Sequence, residues 1–343
     1  MVDITIRGAG IFGLSIAWAC VRRGARVQVI DPHGPGAGSS GGLVGALAPH
    51  VPENWNPKKA FQLESLLMGE TFWTEIKQTG GLDPGYIRSG RLQPIADEAG
   101  LALARRRAET AAELWAGQAT WRIEPQPEDL WTPQSPSGWV IRDTLSALVH
   151  PRHAIAALVA ALRSRGATIT TEAADRGAVI WATGTAGLDA LSDQQSRRVG
   201  NGVKGQAALL AHDARGAPQL FSDGIHIIPH LDGTVAVGST SERDFESPKT
   251  TDAQLDAVID KARAAVPILK TADVVDRWAG VRPRARTRAP MLGPWPERPG
   301  HFIANGGFKI GFGMAPKISE VMADLILEDR DQIPKGFEVT ASL

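Results

Sequence analysis

Alternation of apolar and polar positions at the amino terminus gives way to helical spacing within a few residues. Ile4 and Ile6 alternate with Thr5 and Arg7, an apolar run then extends to Arg22, Arg23 and Gly24, and "ARVQVID" resumes the alternation as far as Asp31. The change of period predicts strand, tight turn, helix and second strand. Further along, "NWNPKKAFQLESLLMGETFWTEIKQTGG" has Asn56 as N-cap, Pro57 at the first helical position and glycines at its end, which predicts a helix. Residues 98 to 117 repeat the helical period, "YIRSGRLQPIA" between these helices reads as a strand or short hairpin, and the Pro-rich piece 125 to 136 reads as a loop. "HPRHAIAALVAALRSRG" predicts a helix begun by Pro151 and stopped by Gly166, with Ile155, Leu158, Val159 and Leu162 inward. "ATITTEA" and "AVIWATG" then read as strands returning to the first sheet.

The later half is patterned differently. "GQAALLAH" and "IHIIPHLDGTVAVGST" alternate around an Asp232-Gly233 turn, predicting antiparallel strands that form a platform. Thr251 and Gln254 have capping-box spacing for a helix reaching Pro267, "DVVDRWAGVRPR" and "HFIANGG" read as strands, and a last helix is expected from Pro316 to about Glu328. No internal repeat is present, and no low-complexity tail beyond the short end after Ile333.

A chain of 343 residues, 43% hydrophobic, is long enough for two domains sharing an interface. Lys plus Arg and Asp plus Glu both total 37, so no overall field draws the protein to nucleic acid or to an anionic membrane. The single Cys20 excludes an internal disulfide and a cysteine-based metal site. The start lacks a basic region followed by an apolar stretch, and no segment approaches the roughly 20 apolar residues of a membrane span. A cytoplasmic protein without membrane contact is the expectation.

The chemistry begins with Gly8, Gly10 and Gly13 at G-x-G-x-x-G spacing. Gly8 makes the turn, Gly10 lets the backbone approach a pyrophosphate, and Gly13 lets helix and strand pack closely at the positive end of the helix. Asp31, 18 positions after Gly13, suits a ribose hydroxyl and repels a 2′-phosphate, which leaves NAD or the adenosine half of FAD. The Gly- and Ser-rich loop "PHGPGAGSSGGLVGALAPHVPE" puts Ser39 and Ser40 where they can meet phosphate oxygens. No second complete nucleotide fingerprint follows, which indicates a flavin reoxidised by oxygen or another acceptor in place of a nicotinamide.

The head, this loop, "VIWATG" at 179 to 184, "WAGVRPRARTRAPMLGP" at 278 to 294 and "NGGFKIGFGMAP" at 305 to 316 together resemble the FAD-dependent D-amino acid oxidase superfamily, in family order and over nearly the whole chain. Within it the sequence is similar to glycine and sarcosine oxidases. The resemblance implies an α/β fold: a discontinuous Rossmann-type FAD-binding domain (1–50, 140–204 and 275–343) and an α+β substrate domain on an antiparallel sheet (51–139 and 205–274). It implies pyrophosphate near Gly10, Ile11 and Phe12, a flavin approached by Val44, Gly45 and Ala46 and by the stretch 307–313 with Gly307, Phe308, Lys309, Ile310 and Gly311, and cofactor contact at Gly184. Only "EAADRG" separates the strands near 167–184 where the family usually has a β-hairpin, so the adenine cover departs from the pattern. Leu43 stands where some relatives attach FAD to a His, and no Cys lies near the carboxyl terminus, so the FAD is expected to be non-covalent.

Amine oxidation by a flavin requires that the carbon beside nitrogen be held against the ring, and a carboxylated substrate requires a fixed cation. By the resemblance Arg282 and Lys309 supply that cation and His226 replaces a Tyr above the flavin. Arg284, Arg286 and Arg288 read as a solvated basic face, and the remaining histidines as loop or cap residues without metal-ligand spacing. The expected activity is oxidation of the C–N bond of a small amino acid or secondary amine to an imine by hydride transfer to flavin N5. The loop "GSSGGLVGALAP" also resembles the oxidase part of the enzyme that modifies carboxymethylaminomethyl uridine in tRNA, and a flavoprotein without turnover is the third alternative. Expected partners are a small amine or amino acid and an electron acceptor, with nucleic acid disfavoured.

Overall fold

A computed structural model describes residues 2–343. The glycine turn forms where the period changes. Strand Ile4–Arg7 ends at Gly8, whose φ of 105° lies in the left-handed region, and a Cβ there would stand 2.3 Å from the Ala182 carbonyl oxygen. Helix Ile11–Arg22 follows, buried from Ile11 to Val21. A Cβ on Gly13 would come within 1.9 Å of the Gly8 carbonyl oxygen, so the helix can sit this close to the turn only without a side chain there.

The six-stranded sheet runs Met291–Pro294, His301–Asn305, Ala178–Trp181, Ile4–Arg7, Val27–Ile30, Thr168–Thr170. All neighbours are parallel except Met291–Pro294, which lies antiparallel to His301–Asn305. Helices Ile11–Arg22, Pro151–Ser164 and Gly311–Glu328 contribute to the core around it.

The eight-stranded sheet runs Val274–Ala285, Gly200–Leu210, Val235–Gly238, Ile225–Pro229, Gln219–Ser222, Arg91–Pro94, Trp139–Asp143, Trp121–Pro125. It is antiparallel apart from the parallel pair Gln219–Ser222 and Arg91–Pro94. A two-stranded ribbon, Ala46–Leu47 with Ala147–Leu148, completes the strands. Alternation gives the large sheet two unlike faces. One carries Leu92, Val140, Ala208, Leu210, Leu220, Ile227, Val235 and Val237 against Leu255, Val258, Ile259 and Ala262 of helix Ala253–Ala265. The pairings Asp143 with Arg91, Arg91 with Gln219, Phe221 with His226, His226 with Gly238, Gly238 with Ala207, and Gly205 with Gly280 put those residues on the other.

Most expected elements form. Asn56 accepts a hydrogen bond from the Lys59 N–H, and Gly81 closes helix Pro57–Gly80 at φ 74°. Two boundaries move. Asp252, not Thr251, caps helix Ala253–Ala265, its carboxylate accepting from the Gln254 N–H at 2.9 Å. The last helix begins at Gly311, five residues before Pro316, which lies inside it without a donor of its own. The adjacent Lys317 N–H donates to Ser65 Oγ at 3.1 Å on helix Pro57–Gly80, which lets the interrupted ladder persist.

Strands Trp121–Pro125, Trp139–Asp143 and Met291–Pro294 carry Pro, Arg, Glu, Asp or Gly, which hides their alternation, and strand Gln219–Ser222 is only four residues long. Segments 140–143, 200–204 and 275–285, expected in the nucleotide-binding part, contribute to the eight-stranded sheet instead. Cys20 is free and buried, and no helix among the described residues is long and apolar enough to cross a membrane.

Candidate active site

The carboxyl ends of strands Ile4–Arg7 and Ala178–Trp181 meet at the glycine turn, the place where open parallel sheets bind nucleotides. Asp31 Oδ2 accepts from the Ala9 N–H at 2.8 Å and Oδ1 from the His33 N–H at 3.0 Å, so this carboxylate pins the turn to the end of the second strand. Ser40 lies in the single turn Ser39–Gly41, and its Oγ accepts from the Ile11 N–H at 3.0 Å, at the open end of helix Ile11–Arg22. Gly10 faces the same Oγ, 3.1 Å from where its Cβ would be. Gly184 opens helix Gly184–Ser192 at φ 59°, its carbonyl accepting from Asn305 Nδ2 at 2.9 Å.

Segments some 290 residues apart in sequence then converge. A Cβ on Gly307 would stand 2.8 Å from the Phe12 ring, and one on Gly311 would touch Ile11, so the loop 306–310 rests on the start of the first helix. Gly45 fits against the Val149 carbonyl oxygen, 1.7 Å from its absent Cβ, which holds Val44 toward Gly238 of the large sheet. The Phe308 N–H donates to the Pro283 carbonyl at 2.9 Å, fixing Phe308 and Lys309 beside strand Val274–Ala285. The Arg282 guanidinium lies 5.6 Å from the Phe308 ring centre and the Lys309 ammonium 5.8 Å.

Arg282 is buried, 9% exposed, yet no carboxylate pairs with it. Nη1 donates to Ser239 Oγ (2.8 Å), Nη2 donates to the carbonyls of Lys204 (3.1 Å) and Thr240 (2.7 Å), and Nε–H has no partner. Gly205 and Gly280, paired across two strands, leave the floor on which Arg282 and Trp278 lie. Beneath, Lys204 sits 3.3 Å from Glu242 and 3.6 Å from Asp252, while Gln206 donates to both acids. Glu242, the acid nearest Arg282 in charge, is therefore engaged elsewhere.

His226 shares this face, its ring 4.8 Å from Phe221 and its Nδ1 buried without a partner. Arg91, 6.0 Å above the Phe221 ring, is bound to buried Asp143 at 3.0 Å. Burial pushes the Arg282 guanidinium down to about 10. Burial, then the charges of Arg91 and Lys309, push His226 down to about 3, and burial with the nearby Arg282 charge lowers Lys309. The face is thus cationic around a neutral imidazole.

A family model described as FAD dependent oxidoreductase matches residues 3–325. The chain belongs to the FAD-dependent oxidoreductase family. It is 25% identical to a glycine oxidase of Geobacillus kaustophilus over 94% of this chain and 92% of that one. It is 29% identical to the tRNA 5-methylaminomethyl-2-thiouridine biosynthesis bifunctional protein MnmC of Polaromonas naphthalenivorans, over 92% of this chain and 55% of that one. Among solved structures, the iminodiacetate oxidase of Chelativorans superposes with a TM-score of 0.84 at 23% identity, over 98% of each chain. The oxidoreductase is an FAD-dependent enzyme. The glycine cradle, the helix end where Ser40 meets the Ile11 N–H, and the residues of loop 306–310 fit that cofactor.

Two features of the oxidoreductase escaped the sequence. Arg91 comes from a segment read as a strand or short hairpin and Asp143 from one not read at all, and only the sheet register brings them to the face of His226. His150, His153 and Asp232 place potential ligand atoms within 4.8 Å of one another although no sequence spacing joins them. Here His150 also caps helix Pro151–Ser164, Nδ1 accepting from the His153 N–H, and its ring stacks on His153 at 3.8 Å. The arginine run divides as well. Arg286 donates to the carbonyls of Ala341, Ser342 and Leu343, so it anchors the end of the chain and leaves the basic face.

Proposed function

We propose that this oxidoreductase oxidises the C–N bond of a small carboxylated amine, an amino acid or a secondary amine. The observation that carries the reading is Arg282, a buried cation with no acidic partner and with two of its five N–H donors uncommitted, beside Lys309 and His226. A substrate carboxylate completes both its hydrogen bonding and its charge. Bound FAD supplies the two-electron acceptor for the hydride that leaves the carbon next to nitrogen. Gly10, Ser40, Asp31, Val44, Gly184 and the loop from Gly307 to Gly311 hold the cofactor, without a covalent bond.

His226, neutral throughout the working pH range, accepts a hydrogen bond from the amine and orients it; with its imidazolium pushed down to about 3, it is too weak a base to keep the proton. The substrate reacts as the neutral amine. Hydride loss leaves an iminium, which water hydrolyses to a keto compound and ammonia or amine, and oxygen or another acceptor removes the electrons.

Mixing the yellow holoprotein anaerobically with a panel of amino acids and N-substituted amines tests this. Bleaching by at least one carboxylated amine is expected, and Arg282→Met should retain the colour but bleach about 100-fold more slowly. No bleaching by any amine, or bleaching indifferent to Arg282→Met, overturns the reading. A tRNA bearing carboxymethylaminomethyl uridine belongs in the same panel, because the MnmC relative covers most of the chain.

A further inference from the structure

The cations of the site do not stop at Arg282 and Lys309. Arg284 projects from the same strand face as Arg282 and is half-buried, its guanidinium 5.5 Å from the Phe308 ring centre, so three positive groups surround that one ring. Arg288 follows at the exposed turn, its carbonyl accepting from Lys58 Nζ at the start of helix Pro57–Gly80. The charges of Arg288 and Arg243 both reach Arg284, and those of Arg288 and Arg284 reach Lys58; burial and this crowding lower both groups. Among the described residues none of these cations forms an ion pair with a carboxylate. The acids nearby are engaged: Glu53 with Arg107, Glu242 with Lys204. In a chain of formal net charge zero, such a local surplus stands against self-repulsion and lacks an internal counterion.

Exposure rises along the row from buried Arg282 through Arg284 to exposed Arg288. Side chains two apart on a strand face stand about 7 Å from each other. That spacing suits two acid groups on one short molecule, one held deep and one at the rim.

We propose that Arg284, Arg288 and Lys58 form a distal anion subsite, so that the substrate is an amine with two acid groups: an N-carboxyalkyl or side-chain dicarboxylate, or its phosphonate counterpart. The inference rests on the amine-oxidase reading, with the first carboxylate on Arg282. Phe308 separates the two anion positions and offers the connecting carbons an apolar surface.

The experiment reads binding separately from turnover. The holoprotein's flavin spectrum is titrated with acetate, malonate and phosphonoacetate, none of which is an amine, and turnover is measured with glycine, sarcosine, iminodiacetate and N-(phosphonomethyl)glycine. The dianions should bind at least about tenfold more tightly than acetate, and the ratio of kcat/KM for dianionic over monoanionic amines should fall about tenfold in Arg284→Gln. Arg288→Gln, at the exposed turn, and Lys58→Gln should lower the same ratio if Arg284→Gln fails to fold. Malonate binding no tighter than acetate, or a ratio unmoved by all three variants, overturns the subsite even if amines are oxidised. Preferential dianion binding without oxidation of any amine keeps the subsite and overturns the oxidase reading. The relative strength of malonate and phosphonoacetate distinguishes carboxylate from phosphonate. A spectral shift caused by tRNA, sensitive to Arg284→Gln and absent with malonate, overturns the small dianion in favour of a polyanion.

Discussion

The nucleotide cradle and the substrate face are built by opposite strategies. The cradle draws its turn, helix and acid from one stretch of 26 residues, 6 to 31, and is shaped chiefly by atoms that are missing: Gly8 and Gly13 admit backbone where a Cβ would collide. The substrate face draws Arg91, Asp143, His226, Arg282 and Lys309 from five separate segments and is shaped by the buried charges of Arg91, Asp143 and Arg282. A local motif therefore fails by steric collision, and an assembled face fails by electrostatic imbalance.

Gly13→Val tests the first kind of failure and has the largest expected effect. With the Gly8 carbonyl oxygen 1.9 Å from the new Cβ, the helix must retreat, costing more than about 4 kcal/mol; colourless or insoluble protein is the expected result, and yellow protein with an unchanged melting temperature would count against the close-packing argument.

Arg91→Met tests the second. It leaves Asp143, which is 0% exposed, as an uncompensated buried charge, at a cost of about 3–5 kcal/mol by denaturant unfolding. Adding Asp143→Leu should restore most of that loss. If the double variant is no more stable than Arg91→Met, the cost arises from packing and not from charge.

A smaller effect follows from the buried histidines. Burial, with the charges of His230 and His153, pushes His150 down to about 3 from an ordinary 6.5, so between these values the unfolded chain binds a proton that the fold refuses. Stability is fully present above about pH 6.5 and falls as the pH drops toward 3, by up to about 1.4 kcal/mol per pH unit for this residue. His150→Asn, which can still cap helix Pro151–Ser164, should flatten the melting profile between pH 6 and pH 4; an unaltered slope would mean that the other histidines carry it. Ser40→Ala, removing the acceptor for the Ile11 N–H, is the mildest change, at about 1 kcal/mol, with a weakened grip on FAD measured by dilution.

The same contrast governs what could be read from the sequence. Helices Ile11–Arg22, Pro57–Gly80 and Pro151–Ser164 announce themselves through caps, glycines and spacing because those signals are local. Arg282, Lys309 and His226 stand out through resemblance alone, because no local pattern marks them. Arg91 and Asp143 were not found, since a lone Arg in "GRLQP" and an Asp in "VIRD" carry no sign of the register that joins them. Pro316 misplaced a helix start for a related reason: Ser65, which accepts from the neighbouring Lys317, lies 252 positions from it. The arginine run misled through uniformity, as four like residues at alternate positions meet four different surroundings.

Gly205 and Gly280 give the pocket an adjustable base. The atom that a methyl at 205 would strike first is Arg282 Nη2, 2.2 Å away, and it belongs to the mobile end of a side chain and not to the sheet. An alanine there would tilt the guanidinium outward while strand pairing survived, shortening the reach between inner and outer cations. Preference for substrate length can thus drift by single carbon atoms laid under the charge, with neither the charged residue nor the architecture replaced.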